Sequence, residues 1–420
     1  MKVLWFSNTP ASGSDYLNMP TVGGGWLKSL DILLKDYIDL SIAFYYPKDA
    51  DDFKFKGINY YPITNKNWKL VQFKRMLKED LITDEHLSKY FNIIEQVKPD
   101  IIHIHGTENP FGYIITKTAI PVVVSIQGNI TVLHHKYTSG ISKEYLFKSF
   151  TDFNSFRSFP FYKSFKKTFN YFTKASRRES NVLQNCKYVI GRTNWDERIT
   201  RILAPQSKYF HNDEILRDIF YKVEWLPHNN NKLIIHTTNG NSPYKGFETL
   251  CYAVTLLNNL GINYEWRVAG IMEDDLVVKV TKKYLKENYP EKGLKLLGKL
   301  DEINLSRKLL EADIYVMPSH IENSPNNLCE AMMLGMPCIA TYAGGTPTIL
   351  KDEEEGLLVQ DGDPWALAGA IKELITNKDK AICLGKKARQ KALTRHNKEK
   401  VVNELLKIYQ MIIDEHKITK

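Results

Sequence analysis

The chain has 420 residues, 43% of them hydrophobic and 25% charged, and a formal net charge of +9. This composition is ordinary for a globular protein, and the length supports two domains with cores of their own. Five scattered cysteines with no C-x-x-C pair suggest no disulfide frame or zinc site and point to a reducing compartment.

Lys2–Ser7 reads as a first strand, too short an apolar run for a signal peptide, and no later run approaches the length of a membrane-spanning helix. The loop Gly23-Gly24-Gly25-Trp26 precedes an amphipathic helix over Leu27–Leu34. A triple glycine lets backbone approach a ligand, but it is not the G-x-G-x-x-G of a dinucleotide site. Leu40–Tyr46 is a second strand, and a helix is expected over about Glu85–Val97. Pro99–Gly106 reads as a buried strand ending in a loop, Pro121–Asn129 repeats that pattern, and such continuous apolar strands indicate a parallel sheet covered on both faces. His105, Gln127 and Asn129 then fall at carboxyl strand ends, where such sheets bind ligands.

Thr131–Ser180 differs from its surroundings, with ten Lys or Arg, three Asp or Glu and thirteen Phe or Tyr. Phe147, Phe150, Phe153 and Phe156 recur near helical spacing. The pattern fits the packed face of an inserted helical pair. It also fits a surface of aromatic anchors and basic residues that meets anionic lipid. Stacking aromatics suit single-stranded nucleic acid too, but no RNA-binding motif accompanies them.

Lys187–Gly191 is a strand followed by a helix start, and the polar run His228–Asn231 marks a crossover to a second α/β unit. That unit opens with the strand Lys232–His236, the loop Thr238–Gly246 and a helix over Phe247–Leu256. Lys245 in this loop suits a phosphate as a point charge on a flexible stem. Strands at Tyr264–Ala269, Leu294–Leu297, Asp313–Met317, Cys338–Thr341 and Leu357–Val359 follow, and helices over 365–375, 381–393 and 401–413 close the chain.

The richest stretch runs from Ser319 to Pro347. Glu322 is expected in a strand-to-helix loop, and Glu330 about one turn into the next helix. Asn326, Asn327 and Leu328 open that helix, whose free N–H groups make an anion site. A carboxylate beside a ribose can accept two hydroxyl bonds, whereas one beside a phosphate is odd for binding alone, because like charges repel. Together with E-A-M-x-x-G-x-P from Glu330 and the loop Gly344–Pro347, the two glutamates resemble the E-x7-E signature of family-4 retaining glycosyltransferases of bacterial polysaccharide biosynthesis. The likeness covers about 190–395 well and 1–130 loosely.

The resemblance implies the GT-B architecture: an α/β chain of two Rossmann-like parallel-sheet domains facing across a cleft. Their expected extents are 1–225, carrying the 131–180 insertion, and 226–395, with the helix of 396–420 returning to the first. It implies a nucleotide-sugar donor, UDP- or GDP-linked, a glycan or lipid-linked acceptor, no cofactor, no nucleic-acid partner and no metal; no Asp-x-Asp stands at a suitable loop end. The expected place is the cytoplasm, with peripheral contact at the inner face of the membrane through 131–180. Residue by residue, Lys245 and the N–H groups near Asn326, Asn327 and Leu328 would hold the diphosphate, and Glu330 the ribose. Glu322 would face the sugar. Gly24 and Gly25 would face the donor phosphates and Leu300 the base. Asn239 and Gly240 stand where the family often carries an Arg, so one positive charge is missing. Gln127 stands where many members carry a donor-facing His; a Gln can hydrogen-bond a sugar hydroxyl but cannot take a proton. An epimerase of the same fold and a non-enzymatic membrane-binding module are the competing classes.

Overall fold

The computed structural model describes residues 1–19, 25–64, 84–148, 159–228 and 232–418. The chain forms two compact units. The first comprises Met1–His134, Asn170–Ile215 and His396–Lys420, and the second His135–Phe169 and Leu216–Arg395.

The first unit is built on eight strands: β1 (Lys2–Ser7), β2 (Asp39–Tyr46), β3 (Phe53–Phe55), β4 (Ile58–Thr64), β5 (Ile101–His105), β6 (Val122–Ser125), β7 (Tyr188–Gly191) and β8 (Lys208–His211). Their order is β3-β4-β2-β1-β5-β6-β7-β8, parallel except for the β3–β4 pair. That short antiparallel pair was not apparent in the hydrophobic pattern. The sheet is covered on both faces, and β1 shows why its strands read as unbroken apolar runs. Val3 and Trp5 join a core made with the helix Gly25–Leu34 and the C-terminal helix Lys398–Ile418. Leu4 and Phe6 point the other way, toward Tyr90 and Ile94 of the helix Asp84–Val97 and Val182 and Leu183 of the helix Phe159–Gln184. Successive side chains of a strand face opposite sides, so both parities must be apolar.

The second unit has six parallel strands: β9 (Leu233–Thr238), β10 (Tyr264–Ala269), β11 (Leu294–Gly298), β12 (Ile314–Met317), β13 (Cys338–Thr341) and β14 (Leu357–Val359). Their order, β11-β10-β9-β12-β13-β14, is that of a Rossmann sheet. Ile314 and Val316 of β12 enter one core, Tyr315 and Met317 the other. The order reverses between β9 and β12, so the crevice at their carboxyl ends is where such a sheet takes a ligand.

The aromatic and basic segment divides between the units within its long helix. Tyr137, Ile141, Leu146 and Phe165 are buried, so packing accounts for this part of the pattern, while Lys166 and Lys167 are exposed. Phe150, Phe153 and Phe156 lie outside the described residues, and of Phe147 only its helical backbone is described. No helix among the described residues is long and apolar enough to cross a membrane.

Candidate functional site

The site is built on the two loops that leave β9 and β12. The β9 loop runs through Asn239 and a short turn at Pro243–Lys245 into the helix Phe247–Asn259. The β12 loop runs through Ser319 and Glu322 into the helix Asn326–Leu334. They meet where the Lys245 ammonium lies 2.6 Å from the Glu322 carboxylate. Burial would pull the Lys245 pKa down, but the Glu322 charge and neighbouring Tyr244 outweigh it, and the net direction is up. The lysine therefore stays charged. An ammonium has three donors, so one bond to Glu322 leaves two.

Glu322 is held from both ends. The Ser319 hydroxyl donates to its carboxylate at 2.7 Å, and the Gly345 N–H donates to its backbone carbonyl at 2.8 Å. The neighbouring Gly344 has φ +55°, and a Cβ there would stand 2.0 Å from that carbonyl oxygen. Only glycine lets the chain approach so closely. The Gly344–Pro347 loop thus fixes the backbone that aims Glu322.

The helix Asn326–Leu334 begins at Pro325 without a side-chain cap and has no acid in its first turn. Its positive end is therefore not neutralised by its own residues. The asparagines act mostly within the loops. Asn327 Nδ2 donates to the Thr238 carbonyl at 2.9 Å, tying the helix start to the end of β9, and its Oδ1 accepts from the Leu328 N–H at 3.0 Å. The Leu328 N–H is thus already engaged, and its side chain is core. Asn239 Oδ1 accepts from the Gly240 N–H at 2.8 Å. Asn326 Oδ1 is buried with no partner among the described residues.

Glu330 is buried and bound by a residue that sequence reasoning missed. Arg217 donates to both of its oxygens, through Nε and Nη2, each at 2.7 Å. Burial pushes the Glu330 carboxyl up, and the guanidinium fork opposes it. The two short charge-assisted bonds keep the pair ionic. Arg217 precedes the first strand of this unit and stands 113 positions from Glu330, so no local spacing signals it.

The remaining candidates lie elsewhere. Leu300 follows β11 and is packed against the core around Tyr315 and Met317. Gln127 follows β6 in the first unit, and Gly25 is the first residue of the helix Gly25–Leu34 there. Gly24 lies outside the described residues. Of the eleven sequence candidates, Lys245, Glu322, Glu330, Asn239, Asn326, Asn327 and Leu328 are gathered on the loops and helix start around β9 and β12.

Residues 222–391 match the family model of glycosyl transferases group 1. The chain is 26% identical over 174 residues to the amylovoran biosynthesis glycosyltransferase AmsK of Erwinia amylovora, covering 40% of this chain and 42% of that one. It is 29% identical over 133 residues to the N-acetyl-alpha-D-glucosaminyl L-malate synthase of Bacillus anthracis, covering 32% and 34%. The matches therefore span less than half of these curated relatives. Two solved structures share the fold over nearly the whole chain. Sucrose-phosphate synthase from Thermosynechococcus elongatus has a TM-score of 0.73 at 16% identity, covering 99% of this chain and 100% of that one. Anabaena Alr3699/HepE, in complex with UDP-glucose, has a TM-score of 0.66 at 16% identity, covering 98% and 100%.

Proposed function

We propose a function from one premise: this chain belongs, through residues 222–391, to the glycosyl transferases group 1 family, on a GT-B fold of two Rossmann-like units. The chain transfers a sugar from a nucleotide-sugar donor to a glycan or lipid-linked acceptor in surface polysaccharide biosynthesis, with retention. The observation that carries this reading is the Lys245–Glu322 pair between β9 and β12, beside a helix start that carries no acid. A diphosphate there would take the two free donors of Lys245 and the positive end of the helix. Glu330, oriented by Arg217, would accept ribose hydroxyls with lone pairs that Arg217 leaves open.

In the reaction the anomeric carbon–oxygen bond to the diphosphate breaks. The acceptor oxygen bonds to the same face of that carbon, and its proton passes to the departing phosphate oxygen. The protein's task is to stabilise charge and hold the partners in line. Lys245 takes up negative charge on the leaving group. Glu322, 2.6 Å from that ammonium, offsets positive charge developing on the sugar. Lys245 and the helix start supply the positive field, so the reading is independent of a metal. Uridine is one candidate base, supported by the fold neighbour in complex with UDP-glucose. Gln127, Gly24, Gly25 and Leu300 remain proposed donor contacts. Peripheral contact with anionic lipid at the cytoplasmic face remains the second reading of 131–180, favoured by the exposed Lys166 and Lys167.

The test is an assay of purified protein with several UDP- and GDP-sugars, with and without a lipid-linked acceptor. A glycosylated product formed only with acceptor supports transfer. Conversion of the donor sugar without acceptor identifies an epimerase, and no turnover with any donor overturns the proposal.

A further inference from the structure

A second cavity of the same unit has a chemistry that the donor site does not use. It has a volume of about 240 Å³ and lies among the helix Phe247–Asn259, the loops after β12 and β14, and the segment at Ser139 and Gly140. Its floor is an ionic group. His320 Nε2 lies 2.6 Å from Glu248 Oε1, and Nδ1 lies 3.4 Å from Asp361. Burial would lower the His320 pKa, but the two carboxylates outweigh it and the imidazole is held above its ordinary value. Lys136 stands 4.0 Å from Asp361. Two carboxylates thus face the His320 ring and the Lys136 ammonium.

The walls are aromatic. Tyr252, Tyr284 and Trp365 line the cavity, and Trp365 is 63% exposed at its rim, 5.2 Å from the Tyr252 ring. Gly140 closes over the floor so tightly that a Cβ would stand 2.0 Å from Glu248 Oε1. Glu248 is only 5% exposed, and its Oε2 has no partner among the described residues. A buried carboxylate oxygen without a donor is costly, which marks this floor as strained toward a donor.

An anion would meet Glu248 and Asp361, and a cation would find both already matched by His320 and Lys136. A neutral ligand rich in hydroxyls suits the floor, and one with an apolar C–H face suits the electron-rich ring faces of Trp365 and Tyr252. The volume is below the roughly 300–1,000 Å³ of pockets for drug-sized ligands, so it suits one ring rather than a chain. We propose that this cavity is a subsite for one neutral pyranose unit of the acceptor glycan. The proposal rests on the transfer reading for what the sugar belongs to, though not for its binding. Ser319 and His320 are adjacent on the β12 loop, one bonded to Glu322 and the other to Glu248, so the subsite and the donor centre share a single support.

The experiment is saturation-transfer NMR on the whole chain with methyl glucosides, galactosides and mannosides, alongside UDP, GDP and choline. At least one glycoside is expected to bind. Trp365→Ala should weaken it about tenfold and Glu248→Gln several-fold, with nucleotide binding unchanged in both. No glycoside binding while a nucleotide binds overturns the subsite and leaves the transfer reading standing. Glycoside binding that Trp365→Ala abolishes, with no nucleotide bound at all, keeps the subsite and removes the transfer reading. Displacement of the sugar by choline, or binding indifferent to both substitutions, overturns the proposal.

Discussion

At the ends of β9 and β12 the second unit gathers charge: Lys245 lies against Glu322, and Arg217 is brought against Glu330 on the helix that follows β12. At the equivalent ends of β1 and β5, the first unit gathers groups driven toward neutrality. His105 lies against Trp5 and Trp26, with ring centroids 4.4 and 5.7 Å away, and neither of its nitrogens has a partner among the described residues. Burial, then His103 and Arg192, holds its pKa well below the ordinary value. His103 is brought down to about 3, although it bonds Tyr409 and Ser125 at 2.6 Å each. Burial likewise pushes Glu108 up, against a bond from Asn8. The same topological position thus carries opposite chemistry. An ion pair keeps Lys245 charged against its burial, whereas burial without such a partner drives the histidines of the first unit toward neutrality.

The sharpest way to break this contrast is Lys245→Ala. If the ammonium stabilises a leaving diphosphate, turnover should fall about 10²–10³-fold while the melting temperature stays close to that of the unaltered chain. Near-normal turnover would leave the pair a structural contact. Next is Glu330→Ala, which should cost about 1.5–3 kcal/mol of nucleoside diphosphate binding by calorimetry. Arg217→Ala should do comparable damage by freeing the carboxylate it orients. If binding is unchanged in both, the fork serves only the fold of its own helix.

The neutral histidines of the first unit give a pH signature. Their folded pKa values lie below the unfolded value near 6.5, so the stability they contribute is present above that pH. It is lost as pH falls toward about 3 for His103, at about 1.4 kcal/mol per pH unit for each group. Thermal melts of His105→Gln should show a shallower loss between pH 6 and pH 4 than the unaltered chain; an equal slope would mean that His105 is not held neutral. His236 of the second unit is brought to about 3 in the same way, and it should keep its share of that slope in the variant. The smallest effect is expected from Gly240→Arg. A Cβ there meets only the Lys245 side chain, at 4.0 Å, so a longer residue has room. The added charge should tighten nucleoside diphosphate binding a few-fold, and weaker binding would show that the loop has no place for it.

Much of the second unit was legible because its information is local. The β12 strand, Glu322, the helix start and Glu330 follow one another within twenty residues, and each reports on its neighbours through caps, periodicity and spacing. Lys245 was singled out by its glycine-containing loop together with the family resemblance, since a lone lysine in a loop says little by itself. Arg217 was not, because its bond to Glu330 exists only once the helix packs. Nor was the subsite, although His320 sits inside the signature stretch: Glu248 reaches it from the helix Phe247–Asn259 and Asp361 from the loop after β14. In the first unit β3 escaped because a three-residue edge strand carries little apolar alternation.

Each unit is assembled from separated stretches of the chain, so it is completed late in synthesis. Synthesis at about 5–20 residues per second delivers Tyr137, Gly140 and Tyr145 long before Tyr244, Glu248 and Tyr284, against which they rest. Tyr137 therefore waits without its Tyr244 contact for seconds or more. The core of the first unit waits longer still, since Val401, Leu405, Ile408 and Ile412 come from the final helix. Neither unit can finish on the ribosome before nearly all of the chain has emerged. The nascent protein should accordingly depend on holding chaperones through that interval, and loss of the last helix should expose the first unit rather than the donor site.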